Sequence, residues 1–248
     1  MNRYYYLLLL LVLGLISLHA DAITVIGHRG ACGYEPENTL RSFKKALELG
    51  VDVIELDVFL CKSGEVVVIH DPKIDRTTNG KGFVSCLTLE QLQSYDAGKG
   101  ELIPTLEQVF NLVDKRAVID IELKGEGTPQ AVAQLLEKYI SEHDWNYDHF
   151  IVTSFNHHLL AEFNQYCPKI ARGAIINAIP LTYAQFGSDV QAQAIVVCRE
   201  FINKAYIQDA HNRGLKVYVY TVNEPDEIKF LKNLGVDGIV SNFPDRVK

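Results

Sequence analysis

The sequence predicts an α/β fold, an eight-stranded parallel TIM (β/α)8 barrel, and three observations predict it. Short β-branched runs alternate with helical patterns along the chain, one pair of runs lies too close in sequence to be parallel, and charged residues collect where runs end. Alternation of strand and helix means parallel strands joined by crossovers. The strand-like runs are residues 23–27, 53–60, 66–69, 117–123, 150–154, 171–176, 194–197, 216–221 and 238–240. These nine are one too many for an eightfold barrel. Only Cys61-Lys62-Ser63-Gly64-Glu65 separates the second run from the third, far short of a parallel crossover, so those two form an antiparallel hairpin. Eight parallel strands remain. An open doubly wound sheet is the alternative, but no Gly-x-Gly-x-x-Gly follows the first strand to support it.

The helices follow in order. Residues 39–50 place Leu40, Phe43, Ala46 and Leu47 on one face and stop at Gly50. Pro104-Thr105-Leu106 opens the next, and residues 129–142, 157–166, 204–213 and 226–234 complete the series. Residues 71–104 break the rhythm, with Asn79-Gly80-Lys81-Gly82, Gly98-Lys99-Gly100 and one short helix at 89–94. A stretch of that length between barrel elements is an inserted cap segment. No internal repeat or linker divides residues 23–248, so a single barrel domain is expected.

Residues 1–22 are of another kind. Arg3, an apolar run from Leu7 to Leu18 and Ala20-Asp21-Ala22 have the order of a secretory signal peptide, with cleavage after Ala22 and export to a periplasmic or secreted location. No later run is long and apolar enough to predict a membrane span. The 248 residues are 48% hydrophobic, which excludes a disordered chain or a small disulfide scaffold. A net charge of −7 argues against nucleic acid as a partner. Five cysteines, with no Cys-x-x-Cys and no histidine at zinc spacing, read as scattered small buried residues.

In a parallel barrel, chemistry gathers where strands end and the following loops begin. The first strand ends in His28-Arg29-Gly30, the second carries Glu55-Leu56-Asp57, the returning hairpin strand ends in His70-Asp71, and the next run ends in Glu122-Leu123-Lys124. A hairpin turn centred on Lys62-Ser63 sets His70 opposite Glu55 and Val68 opposite Asp57. Glu55, Asp57 and His70 then share one face, with Ile54, Leu56, Val58 and Ile69 on the other. Three carboxylates in an apolar barrel repel unless a cation neutralises them. Glu55, Asp57 and Glu122 therefore suit one divalent cation, Ca²⁺ or Mg²⁺, the alternative being ion pairs with Arg29 and Lys124. Asp120 lies one layer deeper. His28 and His70 suit proton transfer near neutral pH, and Arg29 and Lys124 suit phosphate oxygens. Pro36-Glu37-Asn38-Thr39 serves as a helix-opening sequence, and it places Glu37 and Asn38 where they can orient His28 and Arg29.

Together with Pro104-Thr105-Leu106, Ser154-Phe155 and Thr221-Val222-Asn223, these motifs resemble the ordered motif set of the glycerophosphodiester phosphodiesterases, over residues 24–244. The resemblance implies a TIM barrel that uses a divalent metal to cleave deacylated phospholipids, a small-molecule substrate class, into glycerol 3-phosphate and an alcohol. It implies His28 and His70 as the acid-base pair, Glu55, Asp57 and Glu122 as metal ligands, and Arg29 and Lys124 as phosphate contacts. Attack by water and attack by the substrate's own 2-hydroxyl both remain open. Ser63-Gly64 stands where Asp-Gly is usual, Tyr220 where Trp is frequent, and Ser241-Asn242-Phe243-Pro244 where Thr-Asp-x-Pro is usual. Asn242 keeps the shape of the usual residue without its charge. A lysophospholipase D-type enzyme and a catalytically silent headgroup-binding barrel are the competing readings.

Overall fold

A computed structural model describes residues 23–248, and the expected leader at 1–22 lies outside the described residues. The elements run β1 (Thr24–Gly27), α1 (Leu40–Glu48), β2 (Val53–Leu60), β3 (Val66–Val68), α2 (Leu89–Leu92), α3 (Leu106–Val113), β4 (Val118–Leu123), α4 (Thr128–Glu142) and β5 (Phe150–Ser154). They continue with α5 (His157–Tyr166), β6 (Ala171–Ile176), α6 (Gln185–Asp189), β7 (Ala194–Cys198), α7 (Lys204–Asn212), β8 (Lys216–Tyr220), α8 (Pro225–Leu234) and β9 (Gly238–Ser241). Helix starts follow local chemistry. Thr39 accepts from the Ser42 N–H at α1, Thr105 and Gln108 form a reciprocal cap at α3, and Asn156 and Asn203 cap α5 and α7.

The strands pair in the order β1-β9-β8-β7-β6-β5-β4-β2-β3, and β1 also pairs with β2, which closes an eightfold parallel barrel. β3 is the only antiparallel member among the described residues and lies against the far end of β2, beyond the reach of β1. Alternation along each strand divides the side chains between two faces. Ile54, Leu56, Val58, Ile119, Ile121 and Leu123 pack outward into the main core beneath the helices. Their neighbours Glu55, Asp57, Asp120 and Glu122 therefore point into the barrel. At its heart the helical layer holds Phe110, whose ring meets Tyr139, Trp145 and Phe150 with centroids 4.9, 5.6 and 5.3 Å away.

The hairpin differs from the sequence expectation by one residue. Val58 faces Val68 and Leu60 faces Val66, so positions pair around Ser63 rather than between Lys62 and Ser63. The reason is Gly64, at φ +99. Gly64 donates to the Cys61 carbonyl at 3.0 Å and Cys61 donates to the Glu65 carbonyl at 3.1 Å, a three-residue loop that ends in a left-handed glycine. Ile69 consequently joins Val67, Cys61 and Phe59 in a small cluster with Ile74, Val84, Leu92, Ala97 and Ile103, instead of facing the main core. Residues 71–104 thus carry their own apolar centre, seated on the outer end of β2 and β3.

All five cysteines are free, Cys61 and Cys167 buried and Cys86 exposed, so burial does not account for every one. Among the described residues no helix is long and apolar enough to cross a membrane. Phe110→Ala removes the centre of a close-packed aromatic group, and a loss of about 3–5 kcal/mol in denaturant unfolding is expected. A loss below about 1 kcal/mol would show that the helices do not depend on this contact.

Candidate active site

The carboxyl ends of β1, β2 and β4 deliver most of the candidate residues. Parallel register sets Glu55 beside Asp120 and Asp57 beside Glu122. Ligand oxygens of Glu55, Asp57 and Glu122 all lie within 4.8 Å of one another, and all three side chains are buried. Burial and mutual repulsion drive the Glu55 carboxyl well above its ordinary range. Burial and the Asp57 charge also raise Glu122, despite Lys124 at 2.7 Å. Asp120, one layer deeper, is pushed up to about 7 by burial, although Thr153 donates to it at 2.8 Å. Asp57 Oδ1 has no hydrogen-bond partner among the described residues. Three converging buried carboxylates, two of them raised well above their ordinary range, and one buried oxygen that accepts no hydrogen bond fit a hard divalent cation.

Two fixed cations flank the triad. Arg29 adopts φ +50, a left-handed turn that folds the chain over the β1 end. Its N–H donates to Glu55 at 2.8 Å and its guanidinium to Glu37 at 2.7 Å, with Nε 3.4 Å from Asp57. Burial opposes the charge on Arg29, yet Asp57, Glu37 and Glu55 raise its pKa further. Lys124 lies 2.7 Å from Glu122, 3.5 Å from Asp57 and 3.3 Å from His70 Nε2. Asn38, left-handed at φ +57, donates to Asp57 at 2.8 Å. Its place in the sequence also opens α1, but its side chain is spent on the site.

The two histidines reach the rim by different routes. His28 directly follows β1, and its Nδ1 lies 2.6 Å from Asn242 Oδ1 at the end of β9. Burial, and then Arg29, lower its pKa from 6.5 to about 4. His70 does not face Glu55 across the hairpin, because the observed register and the end of β3 at Val68 break that pairing. It leaves the pleat instead and approaches Lys124, while its Nδ1 lies 2.5 Å from Asp71. His28, Glu55, Asp120, Glu122, Thr153, Phe155, Ile175 and Tyr220 line one pocket at the barrel mouth. A larger cavity, lined by Asp52, Tyr147, Lys169 and Lys216, opens at the opposite end of the strands and holds none of these groups except Asp120.

One contributor, Arg76, escaped the sequence reading, and two more, Phe155 and Asn242, entered it only as motif residues without a place in the site. Arg76, from the inserted segment, binds Asp71 at 2.6 Å and Glu37 at 2.7 Å and 2.8 Å, which joins the His70 and Arg29 sides of the site. Burial works against the Glu37 carboxylate, yet Arg76 and Arg29 bring it down to about 2. Phe155 meets the Tyr220 ring edge-on at 5.8 Å, with Lys124 5.6 Å from the Phe155 centroid. Asn242 contacts His28 itself rather than a residue behind it. No spacing signal announces Arg76, which arrives from the inserted segment, whereas Phe155 directly follows β5 and Asn242 directly follows β9.

A model of the Glycerophosphoryl diester phosphodiesterase family matches residues 28–246. A glycerophosphodiester phosphodiesterase from Caldanaerobacter subterraneus is 36% identical and covers 89% of this chain and 94% of its own length. Among solved structures, an Oleispira antarctica phosphodiesterase in complex with the product sn-glycerol-3-phosphate superposes with a TM-score of 0.84 at 30% identity, over 90% of this chain and 94% of that one. A human lysophospholipase D is more distant, at 26% identity over 90% of this chain and 84% of its own. With a family model that spans nearly all described residues and a relative 36% identical over 94% of its own length, the chain belongs to the glycerophosphoryl diester phosphodiesterase family.

Proposed function

We propose that the chain hydrolyses glycerophosphodiesters to glycerol 3-phosphate and an alcohol, with one divalent cation, Ca²⁺ or Mg²⁺, held by Glu55, Asp57 and Glu122, and with His28 and His70 moving the protons. The observation that carries this reading is the buried carboxylate triad at strand ends, faced by Arg29 and Lys124. A cation bound there would polarise the phosphoryl group and offset charge developing on it. Arg29 and Lys124 supply donors for the remaining phosphate oxygens. One histidine takes the proton of the attacking oxygen, from water or from the substrate's own hydroxyl, and the other returns a proton to the departing alcohol. Phe155 and Tyr220 form an aromatic wall on one side of the pocket. Glu37 and Asn38 orient Arg29 and Asp57.

The order of charge and apolar residues in 1–22 supports export, with a mature chain that starts at Ile23. Intact-mass measurement of protein recovered from the cell envelope or medium is expected to give residues 23–248, and a full-length mass there would overturn cleavage.

With purified protein and glycerophosphocholine, chelation is expected to abolish turnover and added Ca²⁺ or Mg²⁺ to restore it. Glu122→Gln should fail to respond to the metal, and His28→Ala or His70→Ala should lower kcat about 10²–10⁴-fold. Turnover that ignores chelator would remove the metal from the reaction, and binding without turnover would favour the silent barrel.

His28 also links stability to pH. Its folded pKa of about 4 lies below the ordinary 6.5, so its contribution is fully present above pH 6.5 and is lost as pH falls through about 4. The ring borders an open pocket, so the contribution is at most about 3 kcal/mol. Metal-free wild type is therefore expected to lose more stability than His28→Gln between pH 6.5 and pH 4 in urea titrations. Parallel curves for the two proteins would contradict the assignment.

A further inference from the structure

The two histidines differ in what holds them. His70 Nδ1 faces the Asp71 carboxylate at 2.5 Å, whereas His28 Nδ1 faces the side-chain oxygen of Asn242 at 2.6 Å. An amide oxygen only accepts hydrogen bonds, so the His28 nitrogen beside it must carry the hydrogen. In a neutral imidazole, that leaves the other nitrogen, Nε2, with a free lone pair. Among the described residues Nε2 has no hydrogen-bond partner, and the ring lines the pocket with Glu55 and Glu122.

Asn242 is itself firmly held. Its N–H donates to Asn223 at 2.9 Å and its carbonyl accepts from Gly33 at 2.9 Å. The His28 N–H donates to the neighbouring Ser241 carbonyl at 3.0 Å, which ties the same two segments a second time. Phe243 lies so close to Gly33 that a Cβ there would fall 2.3 Å from the ring, which fixes the far side of the loop. The second lone pair of the amide oxygen is also used, because Cys32 donates to it at 3.0 Å. Burial pushes the Cys32 thiol up to about 12, so it remains a donor. Two donors on one oxygen define which end of the Asn242 amide faces the histidine.

We infer that Asn242 is a positioning residue for the reaction, whose side-chain oxygen locks His28 in its Nδ1–H tautomer and so presents an unprotonated Nε2 to the pocket, making His28 the proton acceptor of the pair. This rests on the reading of His28 as an acid-base residue given above. An amide does the holding without adding a further negative charge beside Glu55, Asp57 and Glu122. Burial and Arg29 keep the ring neutral, the state an acceptor must have, although the bond to Asn242 works the other way.

The test combines kinetics with the tautomer. In the metal-loaded enzyme on glycerophosphocholine, Asn242→Ala should lower kcat about 10- to 100-fold while KM stays within roughly threefold. Asn242→Asp, which restores an accepting oxygen, should recover most of that loss. In metal-free protein with ¹⁵N-labelled histidine, the His28 signals, identified by their disappearance in His28→Ala, should show Nδ1 protonated and Nε2 bare. Asn242→Ala should mix the two tautomers. An Nε2–H tautomer in wild type or an unchanged kcat in Asn242→Ala would each overturn the inference. Full activity in His28→Ala would instead remove the acid-base reading, and the tautomer spectrum would still judge Asn242 alone.

Discussion

Three carboxylates buried within 4.8 Å of one another are the constraint that the rest of the site answers. Left alone in an apolar barrel, such a group would either take up protons or push its members apart, since an unpaired buried charge costs several kcal/mol. The chain neither separates them nor pairs them fully. Arg29 and Lys124 stand at the edge of the cluster rather than within it, and Asp57 retains an oxygen that accepts no hydrogen bond among the described residues, with Lys124 3.5 Å away. The left-handed turns at Arg29 and Asn38 are strained positions for residues with side chains, and both serve to bring a donor onto Glu55 or Asp57. Backbone strain, cation placement and the helix opening at α1 thus have one common origin in the acidic centre.

Much of this was legible in the sequence because a barrel converts strand order into position. A charged residue at a strand end falls on the same rim as every other, so Glu55, Asp57, Glu122, Arg29 and Lys124 could be gathered without knowing a single distance. The hairpin was legible for a similar reason, as five residues cannot cross over. Its register was not, because one residue of offset depends on whether Gly64 lies inside the loop, and a short turn sequence admits both loop lengths. His70 reached the site through an irregular segment after β3 and not through strand pairing, so a correct neighbourhood had an incorrect route. Arg76 was beyond pattern reading altogether, and Asn242 was legible as a motif residue but its contact with His28 was not. Each comes from a loop whose path is set by packing, Arg76 by the small apolar cluster around Ile74 and Leu92, Asn242 by the ring of Phe243 against Gly33.

Arg76 gives the inserted segment a part in the site that its length alone does not reveal. Through Asp71 it touches the histidine after β3, and through Glu37 it touches the arginine after β1. Two halves of the rim that belong to different strand-to-loop connections are therefore held together by one side chain of the inserted segment. The geometry available to a phosphodiester between them is set from outside the barrel.

The pairing of β1 with β9 has a consequence for how the protein comes into being. His28 lies at the beginning of the described chain and Asn242 near its end, so the proposed proton acceptor meets its partner only when the last strand docks on the first. Contacts of such sequence separation form late, because most of the chain must be ordered before the two ends can meet. A nascent or partly assembled barrel would hold the acidic residues of β2 and β4 together and yet lack an oriented histidine. Catalysis would then begin with the final closure of the cylinder, which makes turnover itself a reporter of completed folding.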